Sequence, residues 1–190
     1  MGFRGTRPLK GFTLVEAVVV MMLVGLIAAF AVPRLDFSRF RVNGAVRAVA
    51  GRLALAQRTA ITLQNNVNVV FNTGTQQITI HEDADNDNVI DIGERTRSYP
   101  VGEGVEFGRG GAPTRLYGVD KVSFTRRFNG MPELVFRRDG SASESGGIYL
   151  TTTRAALTAT PKDARSVEVV RATGRAEWYR YDGSAWKRAL

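Results

Sequence analysis

Residues 10–33 read KGFTLVEAVVVMMLVGLIAAFAVP, and the architecture of the whole chain turns on how that stretch is taken. Between Gly11 and Val32 the single charged side chain is Glu16, and as a helix the run would be about 33 Å long, close to the hydrocarbon thickness of a bilayer. Arg4, Arg7 and Lys10 precede it and Pro33-Arg34 follow it. That order favours an amino end in the cytoplasm and the remainder outside, although Arg34 weakens the asymmetry. No small-residue secretory cleavage site follows the apolar run, so the segment is expected to be retained. A carboxylate inside a membrane costs about 2.5–3.5 kcal/mol unless it is paired or reaches water, which makes Glu16 a functional residue by default. Two plainer readings stand beside this one. Glu16 lies in the first turn of its helix, where the dipole favours negative charge, or it belongs to a simple signal anchor and sits near the interface.

Outward from this segment the pattern changes twice. Val42, Val46, Val49, Leu53, Ala56, Ala60 and Leu63 recur at spacings of four and three, while Arg39, Arg41, Arg47, Arg52 and Arg58 fall mostly elsewhere on the wheel. Residues 35–65 are therefore expected to form an amphipathic helix covering a sheet. Gly44 and Gly51 cost that helix about 1 kcal/mol each relative to alanine, so they call for close packing or flexibility. Pro33 is expected to bend or interrupt the rod joining the two helical segments. From residue 66 onward short β-rich runs are separated by turn residues: NVNVVF, QQITIHE, RTRSYPV, KVSFTRRF, PELVFRRDG, GIYLTTT, SVEVVRA and RAEWYRYDG. Residues 102–118 and 155–164 carry no assignable pattern. The expected class is α+β, a long amino-terminal helix against a mainly antiparallel body spanning 66–190.

Composition bounds what such a body can do. A chain of 190 residues has room for about one domain plus an appendage. Cysteine is absent, which removes disulfides, thiolate metal sites and cysteine nucleophiles. The net charge of +8 includes Arg4, Arg7 and Lys10, so the chain without them carries +5, scattered over the body. Scattered charge suits a solvated surface more than a nucleic-acid site. His81 is the single histidine, expected at a strand end beside carboxylates, so a serine or metal mechanism that requires several would lack parts; with no paired-carboxylate site outside the acidic residues 82–94, no enzymatic activity is expected.

The run KGFTLVEAVVV, with its basic leader and the later Pro33, resembles the amino terminus of type IV pilins and type II secretion pseudopilins. The resemblance implies a leader at 1–11, a hydrophobic transmembrane and assembly helix at 12–34, and cleavage by a prepilin peptidase between Gly11 and Phe12, with methylation of Phe12. It further implies storage in the inner membrane with a cytoplasmic amino terminus and a periplasmic body. Glu16 would pair with the amino terminus of a neighbouring pilin or pseudopilin subunit as the fibre grows. The order of LALAQRTAITLQNNVNV, EDADNDNVIDIGERTR, LVFRRDGS and SVEVVRATGR is similar to that of H-type pseudopilins and FimT-like minor pilins, so a minor subunit of a type IV pilus or type II secretion pseudopilus is expected, with a major pilin as the alternative. Secreted cargo is among the partners that the family implies.

Two further stretches invite specific chemistry. In DADNDNVIDIGE, the residues Asp83, Asp85, Asp87, Val89, Asp91 and Glu94 have the spacing of calcium ligands in a twelve-residue loop, with Asn88 where glycine is usual. The competing reading is a solvated hairpin in which the aspartates make local turn bonds. At the carboxy end, Arg171, Arg175, Arg180, Lys187 and Arg188 are interleaved with Trp178, Tyr179, Tyr181 and Trp186, a combination that can neutralise phosphates and stack on bases. FimT-like proteins include DNA receptors for natural transformation with basic residues after a late Gly-Arg. Gly174-Arg175 matches that start, whereas Ala176 and Glu177 depart from it. The alternative is an ordinary terminal hairpin whose aromatics face inward.

Overall fold

The computed structural model describes residues 11–31, 37–87, 89, 91 and 93–189. Pro33 and Arg34, together with Arg4, Arg7, Lys10, Asn88 and Ile90, lie outside the described residues. The chain divides into two compact units, residues 1–37 and 38–190.

The described part of the first unit is helix α1, Leu14–Ala31. Its 18 residues give about 27 Å of helix. Among the described residues no helix is long and apolar enough to cross a membrane. The expected span of 12–34 runs on into residues outside the description.

The second unit is built on α2, Ser38–Leu63. Its buried residues are Val42, Ala45, Val46, Val49, Leu53, Ala56 and Ala60, the expected stripe with Ala45 added and Leu63 left 47% exposed. Leu63 is the last residue of the helix, and the chain turns away at Gln64 with φ 57°, so the stripe ends one step early. A Cβ at Gly44 or Gly51 would meet nothing within 4 Å, so close packing does not explain either glycine. Two arginines of the polar face lie against rings, Arg52 4.5 Å from the Tyr99 centroid and Arg47 5.6 Å from that of Trp178.

Two antiparallel five-stranded sheets share α2. The first contains β1 Asn66–Asn72, β2 Gln77–Asp83, β3 Thr96–Pro100, β5 Arg127–Phe128 and β6 Met131–Phe136 in the order β3-β2-β1-β6-β5. The second contains β4 Val105–Phe107, β7 Gly146–Thr152, β8 Arg165–Val169, β9 Ala176–Tyr181 and β10 Trp186–Arg188 in the order β10-β9-β8-β7-β4. Between β7 and β8 lie α3, Thr153–Thr158, and a 3-10 turn, Pro161–Asp163. Period-two alternation puts Val67, Val69 and Phe71 of β1 and Val167 and Val169 of β8 into one core with the α2 stripe. Phe71 joins the sheets: its ring stacks on Phe124 at 5.4 Å and meets Phe107 of β4 edge-on at 6.4 Å.

The expected strand KVSFTRRF is mostly not a strand. Residues 127–128 pair as β5, and Val122 makes a single bridge to Ile148. Lys121 and Ser123 make isolated backbone bonds to Tyr149 and Gly147, and Glu144 accepts from the Thr125 and Arg126 amides at 2.9 and 3.1 Å. The unassigned stretches contain β4, the 3-10 turn and all but the first two residues of α3, which starts at Thr153, the last residue of the expected strand GIYLTTT; all three are too short to show a period. Gln57 of α2 fixes the far end of the body, donating to the carbonyls of Gly140 at 2.7 Å and Thr173 at 2.6 Å. Gly174 has φ 61°, and a Cβ there would overlap the Gly140 carbonyl oxygen, so this turn requires glycine.

Candidate assembly site

Helix α1 begins with a reciprocal cap. Thr13 Oγ1 accepts from the Glu16 amide at 3.2 Å, and the Glu16 carboxylate lies 3.4 Å from both the Thr13 amide and its hydroxyl. This is the capping box Thr-x-x-Glu, which uses a side chain at each end of the first turn to satisfy otherwise unbonded amides. The two contacts to the carboxylate are long, and Glu16 is exposed, so the group is oriented by the cap and still open to a stronger donor. Around it Phe12 and Leu14 are each 80% exposed and Val15 70%, and the apolar surface continues on every side of the helix through Ile27. A helix hydrophobic all round has no solvated face and needs lipid or other helices around it.

The acidic loop stands on Glu94. Its carboxylate accepts from His81 Nε2 at 2.6 Å, from the Ala84 amide at 2.7 Å and from the Asp91 amide at 3.1 Å. His81 sits on β2 and is 1% exposed, which places the single histidine at a strand end beside carboxylates, as its sequence setting suggests. The bond from His81, followed by those from the two amides, holds the Glu94 carboxyl at about 2 against an ordinary 4.5. Of the six candidate calcium ligands, the carboxylates of Asp83, Asp85 and Asp87 gather within 4.8 Å of one another. Asp87 also accepts from the Val89 amide at 2.6 Å and Asp85 from the Asp87 amide at 3.2 Å, which are turn bonds. Glu94, the residue that would close a calcium loop in bidentate fashion, is directed instead at His81 and the loop amides.

A pH dependence follows from that depressed carboxyl. Its stabilising contribution is complete above about 4.5 and is lost as pH falls toward about 2, because the unfolded loop takes up the proton first. The Ala84 and Asp91 amide resonances should shift over that interval in the wild type. In Glu94→Gln they should already occupy the acid-state positions at neutral pH, and a wild-type loop unchanged down to pH 2 would contradict the assignment.

The carboxy-terminal cations fall into two groups. Arg171 and Arg175 flank the β8–β9 turn near Gln57, and Arg188 of β10 meets Arg175 at the Glu177 carboxylate, whereas Arg180 and Lys187 face each other farther along the β9–β10 pair. Three of the five are paired: Arg175 and Arg188 with Glu177 at 3.3 and 2.8 Å, and Lys187 with Asp182 at 2.7 Å. The aromatics also have partners within the fold. Arg115 lies over Tyr179, while Trp186 packs on Tyr149 and Tyr181 and donates to the Pro113 carbonyl at 3.1 Å. Tyr181 is buried, and Trp178, Tyr179 and Trp186 are half-buried.

Comparison with known proteins gives two findings. The prokaryotic N-terminal methylation motif matches residues 7–32. Among solved structures, the chain is similar to the minor pseudopilin EpsH from the type 2 secretion system of Vibrio cholerae, with a TM-score of 0.50 and 11% identity over 79% of this chain and 97% of that one. The chain therefore carries the prokaryotic N-terminal methylation motif and a fold similar to that of a minor pseudopilin. No curated protein matches in sequence. In a pilin-like chain the capped Glu16 beside Phe12 and an all-apolar helix becomes the candidate assembly site. Sequence reasoning placed Glu16 correctly in its first turn and missed Thr13 as its partner, although the spacing of Thr13 and Glu16 carries that signal.

Proposed function

We propose that the protein is a non-enzymatic minor subunit of a pilus or pseudopilus, processed between Gly11 and Phe12 by a prepilin peptidase and stored in the inner membrane through residues 12–34. The body stands in the periplasm until assembly moves the apolar helix from lipid into the core of a fibre. The observation that carries this reading is the helix with exposed apolar side chains all round and one capped carboxylate, because such a surface is stable only among lipids or like helices. The prepilin-type motif and the pilin-like body support it.

The test is distribution. In cells containing the peptidase, the chain should divide between the inner membrane and fibres sheared from the envelope. In cells lacking the peptidase it should be eleven residues longer and confined to the membrane. A longer chain that reaches the fibre fraction equally well would overturn the processing step, and a chain absent from both fractions would overturn the whole reading.

A further inference from the structure

One end of the second sheet carries an arrangement that a solvated surface does not explain. Strand register sets Arg165 of β8 directly opposite Arg180 of β9, and Arg180 directly opposite Lys187 of β10, so three cations form one row across three strands. Like charges in directly opposed positions are unfavourable. Arg39 from the first turn of α2 and Lys162 from the 3-10 turn join Arg165 and Arg180 around a cavity of about 240 Å³. Asp163 and Asp182 are the carboxylates close to this group, two against five cations. Asp182 is engaged by Lys187 at 2.7 Å, and Asp163 by the Ser38 and Thr152 hydroxyls at 3.0 and 3.2 Å, with Arg39 at 4.0 Å.

The centre of the row is built. Arg165 is 3% exposed, and its guanidinium donates to Asn43 Oδ1 at 2.7 Å and to the carbonyls of Lys162 and Ala164 at 2.9 and 2.8 Å. Burial first, and then the charges of Arg180 and Arg39 against the opposing pull of Asp163, lower its pKa to about 10. A fixed, desolvated guanidinium among like charges is the setting in which a bound anion relieves the most repulsion.

We infer that this pocket binds the phosphate of an anionic phospholipid headgroup. Cations from α2, the 3-10 turn, β8 and β9 converge on one concave spot, which suits a single phosphate group. A nucleic-acid strand needs a stripe that follows successive phosphates, and Arg171 and Arg175 lie at the other end of the hairpin. In sequence, Arg39 stands eight residues beyond Ala31, the last residue of α1. The inference rests on membrane storage through that helix. Bound lipid would hold the stored subunit at the bilayer surface and be released when the fibre extracts it.

The experiment uses the full chain in an uncharged detergent, titrated by calorimetry with short-chain phosphatidylglycerol, short-chain phosphatidylcholine, inorganic phosphate and a short DNA duplex. Phosphatidylglycerol should bind saturably and more tightly than the other three. Arg39→Gln with Arg180→Gln should weaken it about thirtyfold, at roughly fivefold per surface cation, whereas Arg171→Gln with Arg175→Gln should leave it unchanged. Equal binding of inorganic phosphate would identify free phosphate as the ligand and overturn the lipid assignment, as would equal binding of phosphatidylcholine. Tighter binding of DNA would reassign the row to nucleic acid, and no saturable binding of any probe would remove the site. None of these failures alters the fractionation result, so the headgroup site and the fibre-subunit reading fail separately.

Discussion

Glu16→Ala should insert into the membrane at wild-type levels and enter fibres about a hundredfold less often, the factor expected when an interaction worth about 3 kcal/mol in a low-dielectric core is lost. Insertion does not depend on the carboxylate, because the remaining run carries no charge and removing one only makes transfer into lipid easier. Assembly does depend on it if a neighbouring subunit supplies a cation. The capping box offers a rival explanation, in which Glu16 matters only for starting its own helix through Thr13. Glu16→Gln separates the two, since glutamine serves in a capping box nearly as well as glutamate but has no charge to pair. The pairing account expects Glu16→Gln to fail as badly as Glu16→Ala. Near-wild-type incorporation of the glutamine variant would leave only the cap. Thr13→Ala should cost assembly much less, because it removes a cap worth about 1 kcal/mol and keeps the charge.

Phe71→Ala should destabilise the body by about 4 kcal/mol, a large share of the total for a domain of this size, and should lower its melting temperature by about 10 °C. The ring is fully buried and bridges the sheets, stacked on Phe124 and edge-on to Phe107 of β4. Its removal takes away the transfer energy of a phenyl group and also leaves a void between layers that the strands cannot easily close. Phe71→Leu should recover a good part of the loss by refilling that space. Val119→Ala, at a position 68% exposed, should be neutral. Thermal unfolding of the full chain in detergent, followed by circular dichroism, gives all three values. A loss below about 1 kcal/mol for Phe71→Ala would mean that the sheets are not joined through this ring.

Much of this architecture is legible in the sequence, for physical reasons. The α2 stripe from Val42 to Ala60 is long enough to repeat its period several times, and every residue expected in it is buried, with Ala45 in addition. Strands β1, β2, β6, β7, β8 and β9 each have five or more residues bounded by turn formers, so alternation and punctuation agreed. KVSFTRRF misled because its composition is strand-like while the amides of Thr125 and Arg126, at its middle, are taken by the Glu144 side chain, a tertiary partner that no local pattern reveals. β4 and β10, with three residues each, are too short for a period, and the division into two sheets depends on which strands pair.

The candidate sites divide in the same way. Glu16 was conspicuous as a charge alone in an apolar run. The calcium spacing was equally conspicuous, yet only Asp83, Asp85 and Asp87 gather, because the buried His81 claims Glu94. The cationic row had no linear signature at all: Arg39, Lys162, Arg165, Arg180 and Lys187 come together only through the β8–β9–β10 register and the start of α2.

The central claim is that the apolar segment is kept as an assembly helix and that the cut falls before it, between Gly11 and Phe12. Intact-mass and terminal-peptide spectrometry of the protein extracted from membranes of peptidase-containing cells tests this most directly. The account predicts a chain that begins at Phe12, carries one added methyl group on its terminal amine and retains Glu16 and the whole apolar run. A chain that still begins at Met1, or one cut beyond the apolar run, would contradict it.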